Sequence, residues 1–334
     1  MSNTIIGRFR QGVVIGIGLA VLVYVGYALY VGAGDVADAL GRFAWEWLPV
    51  LLGLSFLNYV IRFVRWEMFL RMLDIRVPLR TSLAIFVAGL AMTITPGKVG
   101  EFLKSYLLKE SAGIPMATSA PVVFAERVGD LLALVLLASI GVAQYGGPKA
   151  TPVLIGAGAA ILAGIGVLQS RALTDLVLGL VARVPIGDKL APKLGEAVDA
   201  SRALLGFKPL LLGLGLAGAA WYAECTEYWL AFRGFGIDSM EQGVAIFGYA
   251  FSTVAGVVSP GGLGPTDVGL IEIAERLTPA LEGQKDVATA ASFIVRFCTL
   301  WFAVILGALA LLRFKALVQV DVDAARAKAE PAED

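Results

Sequence analysis

The chain contains 334 residues, of which 58% are hydrophobic and only 16% are charged, and its 27 Lys and Arg balance its 27 Asp and Glu. Soluble domains are about 45–50% apolar and about 25% charged, so this composition, with a mean hydropathy of +0.79, excludes an ordinary soluble protein. The absence of His excludes catalysis by a His general base and zinc sites that need His ligands. The two cysteines, Cys225 and Cys298, lie in apolar runs, and we expect them to be packing residues.

Six apolar segments are long enough to cross a bilayer, whose hydrocarbon core of about 30 Å needs about 20 helical residues. The first segment is longer than the apolar core of a signal peptide and no cleavage site follows it, so we interpret it as a retained helix. The sequence therefore predicts an all-α, polytopic integral membrane protein. The predicted spans are residues 12–31, 47–70, 117–142, 152–168, 210–230 and 287–312.

Two shorter apolar segments, residues 82–94 and 243–258, each end in a Pro-Gly dipeptide. The first would form a helix only about 20 Å long, too short to cross. Proline breaks a helix interior, and broken backbone is tolerated at membrane depth only where protein or a water-filled cavity surrounds it. We therefore predict two re-entrant hairpins or broken helices, at residues 82–110 and 243–278.

The positive charges predict an orientation, because cytoplasmic loops carry an excess of Lys and Arg. With a cytoplasmic N-terminus, nineteen Lys and Arg fall in inside segments and five in outside segments. This bias predicts a multi-pass protein of the cytoplasmic (inner) membrane with both termini in the cytoplasm. Between residues 171 and 208, five apolar residues at helical spacing predict an interfacial helix on the cytoplasmic leaflet. They are Leu173, Leu176, Val177, Leu180 and Val181.

The two Pro-Gly breaks share a motif, T-P-G-K-V-G at 95–100 and S-P-G-G-L-G at 259–264, which are 164 residues apart. A polar-laden helix precedes each break, and a helix containing Arg127 or Arg296 follows it. Because one span and the interfacial helix separate the two units, they are predicted to enter from opposite sides, as an inverted-topology repeat. Short, Gly/Pro-interrupted segments at corresponding positions are typical of a transporter site near the midplane. The alternative is that both breaks are packing kinks.

The predicted organisation is a single membrane domain over residues 1–334. It comprises a first helix (12–31), repeat 1 (47–142), a linking helix with interfacial helices (152–208), repeat 2 (210–312) and a cytoplasmic tail (313–334).

Ionisable side chains occur inside the predicted spans, where each costs at least about 2.5–3.5 kcal/mol without a partner or a wet cavity. Arg127 lies three residues before Asp130 and can pair with it, which favours either a self-neutralised pair or a binding group. Arg296 can pair across helices with Glu224 or Glu227, which would be structural. The set as a whole is Arg62, Arg127 and Arg296 with Glu126, Asp130, Glu224 and Glu227.

This charge set predicts a cavity for a polar headgroup. Arginine binds phosphate through its bidentate fork, and short helix N-termini add backbone amides. Thr95 and Ser259 are predicted N-caps, with Pro96 and Pro260 at the first helical positions. The acids would hold an amino-bearing or sugar-bearing part of the headgroup. Glu101 and Asp267 either lie at the mouth of the cavity or on a solvated face.

At these residues the sequence resembles the transmembrane, flippase-like region of lysylphosphatidylglycerol synthases and its stand-alone relatives, over roughly residues 47–312. The resemblance implies a membrane domain that moves an aminoacylated phospholipid between leaflets; other members accompany polyprenyl-phosphate glycosyl transfer or hopanoid pathways. We find no soluble aminoacyl-transferring domain and expect no synthase activity. The residues that carry the resemblance are Asn58, Tyr59, Arg62, Arg65 and Trp66; Thr95 to Glu101 with Lys104; Glu126, Arg127 and Asp130; and Ser259 to Gly264.

The first functional hypothesis is a lipid translocase for an anionic or aminoacylated phospholipid or a polyprenyl-phosphate-linked lipid. Since the chain has no P-loop, transport would be passive or coupled to an ion or proton gradient, with Glu126, Asp130, Glu224 and Glu227 as proton carriers. The predicted substrate-binding residues are Arg62, Arg65, Thr95, Pro96, Gly97, Gly100, Glu101, Lys104, Glu126, Arg127, Asp130, Glu224, Glu227, Ser259, Pro260, Gly261, Gly264, Asp267 and Arg296.

Two other hypotheses stay open: a secondary transporter of a small solute or ion, and an intramembrane lipid-modifying enzyme. The enzyme is disfavoured because the chain lacks His, a paired-Asp metal motif and a nucleophile dyad. We expect no enzymatic activity, no catalytic residues, no cofactor or metal and no nucleic-acid partner. Membrane lipids are the expected substrate and environment, with a separately encoded lipid-synthesising enzyme as a further partner. The sequence predicts no oligomeric state.

Overall fold

The computed structural model describes residues 17–18, 21–183 and 187–329, and within these ranges all the regular secondary structure is helical. The helices of the first half are α1 (Val21–Val31), α2 (Ala33–Arg42), α3 (Leu48–Met72), α4 (Leu79–Leu90), α5 (Leu103–Ala112), α6 (Met116–Tyr145) and α7 (Gly147–Gln169). Those of the second half are α8 (Arg171–Ala182), α9 (Gly187–Leu204), α10 (Phe207–Arg233), α11 (Gln242–Ala255), α12 (Pro265–Leu277), α13 (Lys285–Arg296) and α14 (Phe302–Ala329).

The predicted membrane-spanning architecture is confirmed. Four continuous helical segments of the described chain are long and apolar enough to cross a membrane: Trp45–Met72, Met116–Tyr145, Ala150–Gln169 and Lys285–Phe314. Two sharply bent helix pairs raise the number to six if each pair counts as one span. In one pair α1 meets α2 at 97°, and in the other the end of α9 meets α10 at 70°. Residues 12–16 and 19–20 of the predicted first span lie outside the described residues.

Both predicted helix breaks are present, and they share one backbone conformation. Thr95 and Ser259 are extended, with nearly identical φ/ψ of −76°/150° and −76°/151°. The following glycines, Gly97 and Gly261, lie in the left-handed region at φ 57° and 58°. The next position is left-handed too, at φ 55° for Lys98 and 75° for Gly262. We call residues 95–102 the first break and residues 259–264 the second break.

The helices pack in an exchanged pattern around these breaks. We call α3 to α6 the first unit and α10 to α14 the second unit. Helix α3 packs against α10, and the two breaks touch each other. The last helix of each unit packs against the short apolar helix of the other: α6 against α11, and α14 against α4. Two units related by an approximate two-fold axis give this pattern, and their inverted topology stays a prediction.

Glycines make the two exchanged contacts possible, because a side chain would separate the helices. A Cβ on Gly307 of α14 would collide with the backbone of Ala91 at the end of α4. A Cβ on Gly141 of α6 would lie 2.7 Å from the side chain of Phe247 on α11. Close helix approach through small residues is a common solution in membranes, where lipid offers no hydrophobic drive for association.

Two smaller predictions concern exposed and buried apolar residues. The predicted interfacial helix corresponds to α8, and its apolar residues are exposed, for example Leu176 at 60% and Leu180 at 54%. The placement of α8 on the cytoplasmic leaflet stays a prediction. Cys225 and Cys298 are fully buried in the apolar core, as expected of packing residues.

Candidate functional site

A cavity of about 860 Å³, counting the space at its open mouth, lies where the two breaks meet between the two units. Helices α3, α6, α10 and α11 form its walls together with both breaks and the α13–α14 segment. Several of the predicted site residues line it, from both units. They are Arg62, Gly97, Arg127, Asp130, Glu224, Ser259, Gly261 and Arg296.

The remaining predicted residues do not line the cavity but lie behind its wall or in the turns of the breaks. They are Arg65, Thr95, Pro96, Gly100, Glu101, Lys104, Glu126, Glu227, Pro260, Gly264 and Asp267. The charged members of this group are buried, and three of them, Arg65, Glu101 and Asp267, form ion pairs with charged residues of the cavity wall. These buried ion pairs fix the positions of the charged side chains that line the cavity.

An ion-pair network in the first unit fixes the first break to α3 and α6. The Glu101 carboxylate lies 3.3 Å from Arg62 and 3.2 Å from Arg127. Arg127 also reaches Asp130 at 2.8 Å, and Asp130 pairs on its other side with Arg65 at 2.8 Å. The i, i+3 pair that the sequence suggested therefore exists, but it belongs to a network joining three segments rather than neutralising α6 alone.

Lys104 forms the second buried connection of the first unit, from α5 to α6. Its Nζ lies 2.5 Å from Glu126 and 3.7 Å from Glu101. The ammonium also lies 4.5 Å from the ring centroid of Trp66, an arrangement in which the ring face attracts the cation. The lysine stem passes directly over Gly89, where a Cβ would collide with it. Glu126 is thus bound to Lys104 and does not face the cavity.

The second unit has its own pair, and here the prediction of a cross-helix pair with Glu224 or Glu227 is wrong. Arg296 pairs with Asp267 at 2.8 Å and donates a hydrogen bond to the carbonyl of Gly261. Asp267 also accepts a hydrogen bond from the backbone amide of Gly264 at 2.9 Å. Because Asp267 comes just after the second break, the fold brings it closer to Arg296 than either glutamate of α10.

The predicted N-caps are confirmed in position only: Thr95 and Ser259 each precede a short 3-10 turn that begins at proline, but neither side chain makes the capping hydrogen bond. No α-helix begins at either motif, because left-handed residues follow each proline; α5 begins only at Leu103 and α12 at Pro265. The Thr95 hydroxyl accepts a hydrogen bond from the Gly100 amide at 2.8 Å and so stabilises the first break. The Ser259 hydroxyl instead donates back to the Gly256 carbonyl.

The two acids of α10 differ from the other buried acids. Glu224 lines the cavity and accepts a hydrogen bond from the Tyr249 hydroxyl at 2.7 Å. Glu227 is fully buried behind it and accepts a hydrogen bond from Ser55 at 2.7 Å. Of the cations in the described chain, none lies within 4.0 Å of either carboxylate.

Lys98 is a cavity residue that sequence reasoning left out of the site. Its Nζ lies 4.9 Å from the ring centroid of Trp221, and no carboxylate of the described residues lies within 4.0 Å. A left-handed conformation is uncommon for residues other than glycine. The matching position in the second break is Gly262, so the lysine in an otherwise matching motif was the signal that could have identified it.

Further cavity residues were missed because their positions depend on helix packing. Trp221 precedes Glu224 by one turn on α10, and Tyr249 comes from α11. Apolar residues complete the lining, among them Leu134 on α6 and Leu300 between α13 and α14. The cavity is therefore polar in part and bounded by side chains compatible with lipid chains.

Hydrogen bonds to backbone carbonyls hold α3 in register with the second unit. Asn58 donates to the Ala220 carbonyl at 2.9 Å, and Tyr59 donates to the Thr299 carbonyl at 3.0 Å. Both side chains are buried, where such bonds are worth more than at the surface. They position Arg62, one turn further along α3, at the cavity wall.

The charges of the cavity are divided between the two units. Lys98, Arg62, Arg127 and Asp130 come from the first unit, and Glu224 and Arg296 come from the second, with Glu224 beside Trp221 and Tyr249. Lysine and arginine bind phosphate through charge-assisted hydrogen bonds. A carboxylate beside aromatic rings binds an ammonium group. The arrangement can therefore hold a ligand that carries a phosphate and a positive group.

Comparison with known proteins gives two curated relatives. A UPF0104 membrane protein of Methanothermobacter thermautotrophicus is 22% identical over 329 residues, covering 91% of this chain and 95% of that protein. The glycosyltransferase AglD of Haloferax volcanii is 24% identical over 313 residues, covering 81% of this chain but only 50% of the glycosyltransferase. No solved structure matches.

A family model also matches, and it covers nearly the whole bundle. The family model describes the transmembrane region of lysylphosphatidylglycerol synthase, and it matches residues 13–307, which include the first unit, both breaks and the second unit up to the start of α14. The chain, an all-α multi-pass membrane protein, therefore belongs to the lysylphosphatidylglycerol synthase transmembrane-region family.

Proposed function

We propose that the protein is a lipid translocase that passes a phospholipid headgroup through the cavity between the two breaks while the acyl chains stay in the bilayer. The observation that carries this proposal is the charged cavity itself. A bundle that spans the membrane places several charged side chains together around one space, although each is costly at membrane depth. A polar headgroup that must cross the apolar core needs such a space.

The cationic side of the cavity supports a phosphate-bearing substrate. Arg62 and Arg127 each already contact Glu101, so their charges are partly compensated. Lys98 lacks such a pair among the described residues and rests only against Trp221. Its ammonium is the group most available to a phosphate oxygen, and the two arginines add charge behind it. The left-handed backbone at Lys98 is tolerated at a cost, which is typical of functional positions.

The acidic side supports an amine on the same headgroup. Glu224 faces the cavity with one hydrogen bond from Tyr249, and Trp221 lies one turn before it on α10. A carboxylate together with aromatic faces attracts a primary ammonium. Aminoacylated phospholipids and zwitterionic phospholipids both combine a phosphate with such a group.

The relatives support a lipid substrate at a coarser level. The family takes its name from a synthase whose product is a phospholipid, and this chain corresponds to the membrane region of that synthase. The relative from Haloferax volcanii is a glycosyltransferase, of which the match covers half. We propose that a separately encoded lipid-synthesising enzyme supplies the substrate, that the protein itself is not an enzyme, and that it resides in the cytoplasmic membrane with both termini inside.

A secondary transporter of a small zwitterionic solute is the second candidate. A cavity with charges of both signs suits an amino acid as well as a lipid headgroup. The two candidates differ in where the rest of the ligand lies: a lipid leaves its chains in the bilayer, whereas a solute is enclosed. Measuring lipid movement and solute uptake in one vesicle preparation distinguishes the two candidates.

The test uses purified protein in vesicles of phosphatidylglycerol and phosphatidylcholine that carry a trace of phospholipid labelled on an acyl chain. A membrane-impermeant quencher removes the signal of the outer leaflet, so inner-leaflet label is lost only if it is moved outward. We expect quenching of labelled phosphatidylethanolamine well beyond the outer-leaflet half. Quenching that stops at the level of protein-free vesicles for phosphatidylethanolamine, phosphatidylglycerol and a polyprenyl phosphate refutes the proposal. Uptake of a radiolabelled amino acid with no lipid movement supports the solute transporter instead.

A further inference from the structure

The buried acids of the bundle fall into two groups that the translocase proposal does not distinguish. Four of them are held by cations at 2.5–3.3 Å. These acids are Glu101, Glu126, Asp130 and Asp267. Glu224 and Glu227, on one face of α10, are the exceptions among the described residues. The sequence analysis proposed Glu126, Asp130, Glu224 and Glu227 equally as proton carriers. In the structure Glu126 and Asp130 are paired with cations, whereas Glu224 and Glu227 are not.

Of the two exceptions, only Glu224 faces the cavity. It is 6% exposed and lines the cavity wall, whereas Glu227 is 0% exposed and lies behind it against Ser55. The Glu224 carboxylate accepts its one hydrogen bond from Tyr249. A carboxylate that is buried and without a cation is costly at membrane depth. It avoids this cost either by binding a cation from the cavity or by binding a proton.

The charged and titratable groups around Glu224 come from several of the elements packed against α10. Arg62 and Tyr59 come from α3, Arg127 and Asp130 from α6, Tyr249 from α11, Lys98 from the first break, Arg296 and Cys298 from the second unit's last span, and Cys225 and Glu227 from α10 itself. The arginines among them already pair with Glu101, Asp130 or Asp267, so they are not available to neutralise Glu224.

Lys98 is the remaining cation in the cavity, and the substrate competes for it. In the structure Lys98 rests on the Trp221 ring rather than on Glu224. When a phosphate binds Lys98, the substrate compensates the lysine charge. At the same moment the ammonium of the headgroup reaches Glu224 beside Trp221. The substrate thus supplies Glu224 with an ion-pair partner that the empty cavity does not provide, which favours a proton on the carboxyl when the cavity is empty.

We propose that Glu224 is a proton-binding site that makes the translocase an antiporter, exchanging one proton for each amine-bearing headgroup. On one side of the membrane the incoming ammonium displaces the proton from the Glu224 carboxyl, and the proton leaves to that aqueous phase. On the other side the headgroup departs and the carboxylate takes up a proton before the empty protein returns. No bond other than O–H is formed or broken. This inference rests on the proposed lipid translocation and adds its coupling.

The test measures lipid movement and proton movement in the same vesicles. Wild-type protein is reconstituted with a trapped pH-sensitive dye, and potassium with valinomycin clamps the membrane potential at zero. Acyl-labelled phosphatidylethanolamine carries an ammonium, and acyl-labelled phosphatidylglycerol does not. With the interior more acidic by one pH unit, we expect labelled phosphatidylethanolamine to accumulate in the inner leaflet by up to about tenfold, since one pH unit is a tenfold driving force. Phosphatidylglycerol should show no such gradient.

Two variants test whether Glu224 binds the proton that is exchanged for the lipid. Glu224→Gln keeps the shape and a hydrogen-bonding partner for Tyr249 but binds no proton, so we expect lipid distribution to lose its dependence on the pH gradient. Glu224→Asp keeps a carboxyl and should retain the dependence at a lower rate. Glu110→Gln, at an exposed acid near the end of α5 and outside the cavity, is the matched control and should behave as wild type.

Failure of the inference differs from failure of the proposed function. If phosphatidylethanolamine moves but its distribution ignores the pH gradient and the interior pH stays constant, antiport is refuted while translocation stands. If Glu224→Gln keeps the full pH dependence, the site is refuted. If no lipid moves in any vesicle, the translocase proposal fails and the antiport inference fails with it. A variant that does not fold leaves the wild-type measurement to decide.

Discussion

Substitution of Lys98 is the most informative single test. The backbone at this position favours glycine, whereas the proposed contact with phosphate needs a cation. Lys98 occupies the left-handed region at φ 55°, where the second break has Gly262 at φ 75°. Replacing Lys98 with glycine therefore matches the second break and removes only the side chain. If the lysine were needed for folding, the variant would lose stability; if it is needed for its charge, the variant would fold and fail to transport.

The expected stability change of Lys98→Gly is small because three terms nearly cancel. A non-glycine residue in the left-handed region costs roughly 1–2 kcal/mol, which the substitution relieves. The greater freedom of glycine in the unfolded chain costs about 0.4–1 kcal/mol. The lost contact with Trp221, 4.9 Å away, costs about 0.5–1 kcal/mol. We expect a Tm within a few degrees of wild type, measured by thermal unfolding in detergent.

The expected change in transport is large. A hydrogen bond to a charged group is worth about 1.5–3 kcal/mol, which corresponds to roughly a 10- to 100-fold change in binding. We expect lipid movement in vesicles to slow by that factor, and Lys98→Asn, a neutral residue that also tolerates this backbone, to behave alike. Lys98→Arg should retain most activity. A Lys98→Gly protein with wild-type transport would refute the role of this charge, and one that unfolds would make the residue structural.

Three further predictions concern the scaffold around the cavity. Lys104→Met leaves Glu126 buried without its cation and should lower the free energy of unfolding by about 3–5 kcal/mol, while adding Glu126→Leu should recover most of the loss; equal melting of the two variants would contradict this. Gly307→Ala should abolish a monodisperse peak in size-exclusion chromatography because its Cβ collides with the Ala91 backbone, whereas Gly156→Ala, with open space around it, should not. A C-terminal fusion to a reporter that works only in the cytoplasm should be active, and a fusion to one that works only outside should be inactive. The reverse result would overturn the predicted orientation.

The spanning helices were predictable within a few residues because they depend on hydropathy along the chain. The segment predicted at residues 47–70 lies within the continuous helix Trp45–Met72, and that at 117–142 lies within Met116–Tyr145. The breaks were predictable too, since a Pro-Gly pair cannot continue a helix. Hydropathy and Pro-Gly pairs are both local features of the sequence, so neither requires knowing which helices pack together.

Pairings between helices were not predictable in the same way. Asp267 rather than Glu224 or Glu227 binds Arg296, and Lys104, which no predicted pair included, binds Glu126, because the packing of helices within each unit decides which charges meet. The capping hydrogen bond expected at Ser259 is absent for a local reason. The left-handed glycines after the proline limit the turn to a few residues before an α-helix can start, which the residue types alone did not specify.

The central claim is that a headgroup passes through the cavity between the two breaks, and blocking that cavity tests it most directly. Thr253 lines the cavity, and its hydroxyl bonds only to the Tyr249 carbonyl of its own helix, so Thr253→Cys should fold normally. Both native cysteines are fully buried, which leaves the introduced thiol as the reactive one in the described fold.

The measurement is the lipid translocation rate of reconstituted Thr253→Cys before and after reaction with a negatively charged methanethiosulfonate. We predict a fall to the rate of protein-free vesicles, reversed when a reductant removes the label, and no effect of the reagent on Glu110→Cys, whose side chain is exposed outside the cavity. Translocation that continues at the unmodified rate with Thr253→Cys fully labelled would contradict the account.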